Sequence, residues 1–241
     1  MEGFSRIDIF DTKGIEYIFV IGYLLLLIIF WRISAKQVKL GQQIQRVIGN
    51  FSARALRIPQ GLFYSKYHTW AHLGKTGLAT VGMDDLIQHI TGEVKFSHLK
   101  PPGQIISKGD LLTEIHQDGK LLRIFSPISG KIMVTNPELA ESPEILNEDP
   151  YEKGWIYKIE PSGWKAETNS YYLADEAITW AEKELERFKD FLAVSMKKYT
   201  PDPSMVIMQD GGELRDHTLS QLPDEVWQDF QNDFLNSAAE I

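Results

Sequence analysis

Cysteine is absent from all 241 residues, which excludes disulfides, thiolate metal sites and cysteine nucleophiles together. Acidic residues are missing between Tyr17 and Met83. Up to Met83 ten Lys or Arg stand against four acidic residues, a balance of +6; from Asp84 onward fifteen stand against twenty-nine, or −14, and the whole chain carries −8. The basic first part suits an anionic membrane surface, and the acidic remainder disfavours nucleic acid as a partner. Catalytic groupings are also lacking. There is no Gly-rich phosphate loop of useful spacing, and His89, His98 and His116 are scattered without a serine or carboxylate arrangement that commits to a nucleophile. His68 and His72, in HTWAH, have the spacing of a helical metal pair, but the surrounding pattern reads as a strand, so no metal site is expected. A stand-alone enzyme is not expected.

What is present begins with Ile15 to Trp31, IEYIFVIGYLLLLIIFW, apolar apart from Glu16 at its edge. At about 1.5 Å per residue this stretch with its flanks reaches across a bilayer core of about 30 Å, and it reads as one transmembrane helix over 15–33. Arg6 and Lys13 precede it, while Arg32, Lys36, Lys39 and Arg46 follow. That bias places the C-terminal bulk in the cytoplasm, single-pass in the inner or plasma membrane. Leu40, Ile44, Val47, Ile48, Phe51 and Ala55 then recur at helical spacing among basic residues, giving a juxtamembrane helix that ends at Pro59.

From Leu62 the chain changes to short alternating segments broken by Gly and Pro turns. Strands are expected at Gly77–Gly82, Glu93–Leu99, Leu111–His116, Leu121–Phe125, Gly130–Thr135 and Trp155–Ile159, with a short helix over Met83–Ile90. Gly82 and Gly92 fit turns of positive φ. Asp84 and Asp85 read as cap and first-turn acids of the helix. Leu111 to Met133 reads as a β-hairpin whose tip is Asp118, Gly119 and Lys120.

The segments YSKYHTW (64–70), LATVGMDD (78–85), GEVKFSHLKPPG (92–103), SPISG (126–130) and NPELAESPEILNEDPYEKGW (136–155), followed by IYKIEP, resemble the glycine cleavage system H proteins in the family's order. The resemblance implies a mainly β fold of the lipoyl/biotinyl type, a barrel-sandwich hybrid, here flanked by an N-terminal transmembrane helix and a C-terminal α-helical arm. It also implies a lipoyl group on a hairpin lysine, three residues after a glutamate and seven before the serine of the turn. Here the segment is EIHQDGKLLRIFSP. Counting back from Ser126 puts Gly119 at the lysine position, and counting forward from Glu114 puts Gln117 there; Lys120 lies one residue late. One residue of shift turns a strand side chain to the other face, although a bulge at the tip would let Lys120 project. No cofactor is therefore expected, the alternative being a lipoyl group on Lys120.

Leu173, Ala177, Trp180, Ala181, Leu185, Phe188, Leu192 and Met196 form the stripe of an amphipathic helix over Ser170–Lys198. After the YTPDP linker, Met205–Met208 reads as a short strand ending at the QDGGE turn, and Pro223 opens a final helix. Trp227, Phe230 and Phe234 share one side of that helix and are expected to face a partner, the alternative being that the tail folds back on the domain. The chain thus divides into an N-terminal segment (1–14), the transmembrane helix (15–33), a basic juxtamembrane helix (34–61), the H-protein-like domain (62–168), the long helix (169–200) and a tail with a hairpin and a final helix (201–241). The expected function is a non-lipoylated, membrane-anchored scaffold or docking subunit that binds other protein subunits of a membrane complex, such as a respiratory one. The alternative is a lipoyl carrier of a glycine-cleavage-like system.

Overall fold

The structure is a computed structural model and describes residues 17, 19–30, 50–51, 55–98, 100–199 and 214–236. The chain separates into two units, Met1–Gly49 and Asn50–Ile241. In the first, residues 19–30 form helix α1, and all of their side chains are exposed. Among the described residues no helix is long and apolar enough to cross a membrane. Residues 15, 16, 18 and 31–33 of the expected span lie outside them.

The second unit begins with β1 (Asn50–Phe51), extended where the juxtamembrane helix is expected. Residues 56–59 are irregular as well, and 34–49 and 52–54 lie outside the described residues. The reason is tertiary: the Arg57 N–H donates to the Asp85 carboxylate at 2.7 Å, so it does not serve a helical carbonyl.

Next come β2 (Phe63–Tyr64), β3 (Thr69–Leu73), β4 (Ala79–Met83), α2 (Asp85–Thr91), β5 (Lys95–His98), β6 (Ile105–Ile106), β7 (Leu111–Gln117), β8 (Lys120–Phe125) and β9 (Gly130–Thr135). The short helices α3 (Glu138–Glu141) and α4 (Ile145–Glu148) lead into β10 (Trp155–Pro161), α5 (Trp164–Thr168) and α6 (Ala174–Tyr199). An antiparallel sheet of order β2-β3-β4-β10-β9-β6 faces a smaller one of order β5-β7-β8. Alternation decides which side chains lie between them: Leu122 and Ile124 of β8 are buried while Leu121 and Arg123 are exposed, and Ile132 of β9 is buried between exposed Lys131 and Met133.

Gly82 does not supply a positive φ. It lies inside β4, where an added Cβ would sit 2.6 Å from the Trp70 indole, so its bareness makes room for that ring. Helix α6 starts later than its periodicity suggests, because Tyr172 exchanges backbone hydrogen bonds with Tyr64, both 3.0 Å. The α6 stripe is buried on its own domain through Ala177, Trp180, Ala181, Leu185, Phe188 and Leu192.

The chain closes with an arm, and the strand expected at Met205–Met208 lies outside the described residues. Strand β11 (Leu214–Arg215) pairs with β1, a 3₁₀ turn covers Thr218–Gln221, and α7 (Asp224–Asp229) widens into a π-helical turn over Phe230–Asn236. The expectation that Trp227, Phe230 and Phe234 face a partner is corrected: their exposures are 1%, 0% and 1%. Phe230 and Phe234 stack at 4.8 Å and meet Phe188 of α6 edge-on at 5.6 and 5.7 Å, so the arm's apolar side closes on the chain's own core.

Candidate functional site

The hairpin of β7 and β8 turns through two residues, with Gln117 paired to Lys120. Asp118 and Gly119 have φ of 49° and 86°, the double positive φ of a type I′ turn that glycine at the second position makes easy. No bulge lifts Lys120 at the tip; the register irregularity falls between Leu111 and Thr113 instead. The tip residue is Gly119, and a Cβ there would meet nothing within 4 Å. The two exposed residues of the turn, Asp118 and Gly119, bear no amine.

Lys120 faces the arm. Its Nζ donates to the carbonyls of Ser220 at 3.1 Å and Leu222 at 2.8 Å, and lies 5.5 Å from the centroid of Trp227. These carbonyls end the 3₁₀ turn, where a cation is favoured by both unsatisfied acceptors and the local dipole. The Trp227 Nε1–H fixes the same turn by donating to the Leu219 carbonyl at 2.8 Å. Next to it, β8 is the outer strand of its sheet, and the Gln231 carboxamide covers its edge, accepting from the Arg123 N–H at 2.6 Å and donating to the Arg123 carbonyl at 3.4 Å. A cleft of about 380 Å³ remains between Lys120, Arg123, Asp224 and Trp227.

Two histidine clusters hold the ends of the arm. His68, fully buried, has φ of 56° in the turn before β3. Its Nδ1 bonds Asp84 at 2.8 Å, and its Nε2 lies 3.4 Å from Glu184 without hydrogen-bond alignment. Burial acts most strongly on this ring and opposes its charge, but Asp84 and Glu184 outweigh it and raise the imidazole to about 9. Burial likewise opposes the Glu184 charge, and His68 with Arg187 still holds that carboxyl down at about 2. The ring stacks on Phe234 at 5.5 Å, and Arg187 donates to the Phe234 carbonyl at 3.0 Å, so this cluster seats the arm's far end.

The near end is held by His89, whose Nδ1 bonds Asp216 at 2.7 Å while its Nε2 lies 3.3 Å from Asp85. Burial again works against its charge, and the two carboxylates raise it to about 9. Asp85 also takes the Arg57 guanidinium at 3.0 Å, and Arg57 reaches on to the carbonyls of Asn147 and Glu148. The segment 147–155 is thus a brace: Asn147 donates to the Gly92 carbonyl, and the Tyr151 hydroxyl bridges the Asp85 N–H and the Arg57 carbonyl.

Asp84 does cap α2, accepting from the Ile87 N–H at 3.1 Å, but its tie to His68 was not readable locally, nor was the His89–Asp85–Asp216 group. His72 points elsewhere, its Nδ1 3.3 Å from the Gly61 carbonyl. Among the described residues no group of three or more His, Asp or Glu could hold a metal ion.

Comparison with known proteins identifies the family of the central part of the chain. Residues 62–184 match the family model described as glycine cleavage H-protein. A probable glycine cleavage system H protein of Pyrococcus furiosus is 38% identical over 111 residues, 46% of this chain and 82% of that protein. The glycine cleavage system H protein of Anaeromyxobacter sp. (strain K) is 37% identical over 107 residues, covering 44% and 83%. A crystal structure of the Mycobacterium marinum H protein is 25% identical, with a TM-score of 0.41 over 44% of this chain and 87% of that one. With half its length matched by the family model and over four-fifths of those relatives covered, the chain belongs to the glycine cleavage H-protein family.

Proposed function

We propose that this chain is a membrane-anchored H-protein variant that carries no lipoyl group and serves as a cytoplasmic docking subunit for other proteins of a membrane complex. One observation carries the reading: the Lys120 amine, next to the hairpin tip, spends its hydrogen bonds on the Ser220 and Leu222 carbonyls, while the tip itself is Gly119. A swinging arm needs the opposite arrangement, an exposed lysine at the apex. The apolar run from Ile15 to Trp31 and the basic residues after it supply the membrane part of the reading.

The rival is a lipoyl carrier acting through Lys120, favoured by family membership and by the lysine's place one residue from the apex. Intact-mass measurement on protein from its native host separates them. The unmodified mass is expected; a lipoyl adduct that disappears in Lys120→Arg would sink the proposal. For the docking role, purification in mild detergent should return stoichiometric companions, and recovery of this polypeptide alone would count against it.

A further inference from the structure

The proposed function leaves open what withholds Lys120, and the structure offers more than a shifted register. The arm enters over the C-terminal end of α2. There the His217 N–H donates to the His89 carbonyl at 2.7 Å, and Gly92, at φ 75°, leaves the space in which the His217 ring lies; a Cβ on Gly92 would sit 2.8 Å from that ring. The residue before, Asp216, takes the His89 Nδ1–H, and the 3₁₀ turn that follows delivers the carbonyls of Ser220 and Leu222 to Lys120. His89 is in turn set from behind. Arg57 binds Asp85 through its backbone N–H on Oδ2 and its guanidinium on Oδ1, which fixes the carboxylate with Oδ2 toward the imidazole.

We propose that the C-terminal arm is a built-in cover for Lys120, registered through Arg57, Asp85, His89 and Asp216, and that this chain of contacts keeps the amine from acylation. It deepens the reading given above by naming the regulation of the same site. The device joins the chain's entry, at Arg57, to the cover over the hairpin, at Ser220 to Leu222. A shift of the entry segment that drew Arg57 off Asp85 would loosen the cover without touching the hairpin.

The test uses the full chain in mild detergent and an N-hydroxysuccinimide ester of acetate, followed by peptide mass spectrometry. In this reaction the neutral amine attacks the ester carbonyl, an amide bond forms, N-hydroxysuccinimide leaves and the amine's proton passes to buffer. Lys120 should react about tenfold slower than the exposed Lys75 and Lys153, because it must wait for local opening of the arm. Asp85→Asn and Asp216→Asn should each speed Lys120 at least about threefold, the readout of a lowered opening free energy. Lys108, half-buried with its Nζ on the Glu167 carbonyl and outside the arm, should keep its rate in both variants and so reports an intact domain. If Asp85→Asn also frees Lys108, Asp216→Asn decides alone, since that carboxylate is 45% exposed and its change leaves the core untouched.

Labelling of Lys120 as fast as Lys75 in the native chain would overturn the cover, as would variants that leave its rate unchanged. Neither result bears on the native mass, and a lipoyl adduct in that mass would sink the functional reading whatever the labelling rates.

Discussion

The two ends of the arm are held by the same chemistry in different surroundings. At the far end His68 is wholly buried between Asp84 and Glu184, whose side chains are 5% and 14% exposed. At the near end His89 is 22% exposed and its partner Asp216 is 45% exposed. Each imidazole sits between two carboxylates and is raised to about 9. The difference lies in what remains when the imidazole is removed. Water can take over at Asp216, and Arg57 already holds the buried Asp85 at 3.0 Å; at the far end the remaining cation is Arg187, 2.5 Å from Glu184. The buried group is thus a fastener of the core, and the exposed one is a grip that can be released.

One substitution made at both sites would break the comparison if it is wrong. His68→Gln leaves Asp84 and Glu184 without their shared cation in the interior and should destabilise the unit Asn50–Ile241 by about 3–5 kcal/mol, the cost of halving a buried ion pair. Urea denaturation followed by tryptophan fluorescence reads it, helped by Trp180, whose ring lies 5.2 Å from His68. His89→Gln should cost about 1 kcal/mol or less, since a partly solvated pair contributes little net stability. Equal losses at the two sites would mean that burial does not separate them.

Acidity sharpens the contrast. A histidine whose folded value is about 9 against the ordinary 6.5 holds its proton more tightly in the fold. Its stabilisation is therefore complete below pH 6.5 and is lost as pH rises through 9. Glu184 works with the opposite sign: held at about 2 against 4.5, it stabilises fully above pH 4.5 and fails as pH falls through 2. Thermal stability should be greatest between about pH 4.5 and 6.5 and decline on both sides. The alkaline decline should flatten in His68→Gln and in His89→Gln alike, and both should weaken the acid limb, since His89 holds Asp85 and Asp216 below the usual carboxylate range; the larger acid effect belongs to His68→Gln, which removes the cation that depresses Glu184.

How much of this was visible in the sequence follows from range. The hairpin, β9 and α2 were legible because a period of two or a capping aspartate is local, and Gly130–Thr135 is observed at the bounds its alternation gives. The resemblance also singled out Lys120, since counting from Ser126 needs no third dimension. What Lys120 does instead was not legible: its partners lie 100 and 102 residues further on. The same holds for Trp227, Phe230 and Phe234. An apolar side on a short terminal helix states that something covers it, not what, and here the cover is α6 and the hairpin of the same chain. Gly82 misled for a related reason, as glycine signals either a special φ or a close neighbour, and Trp70 is that neighbour.

The smallest expected effect bounds the exposed end of the comparison. Lys198 meets Asp229 at 3.1 Å between α6 and α7, with side-chain exposures of 56% and 19%. It ties α6 to the same arm that the His68 cluster seats, yet its lysine is mostly in water. Lys198→Ala should change stability by about 0.5 kcal/mol at most, and the small loss should vanish in high salt, where exposed pairs are screened. Urea titrations at low and high ionic strength check it. A larger, salt-resistant loss would show that α7 depends on its rim charges as much as on Phe230 and Phe234, and the division between a core fastener and a releasable grip would then have to be redrawn.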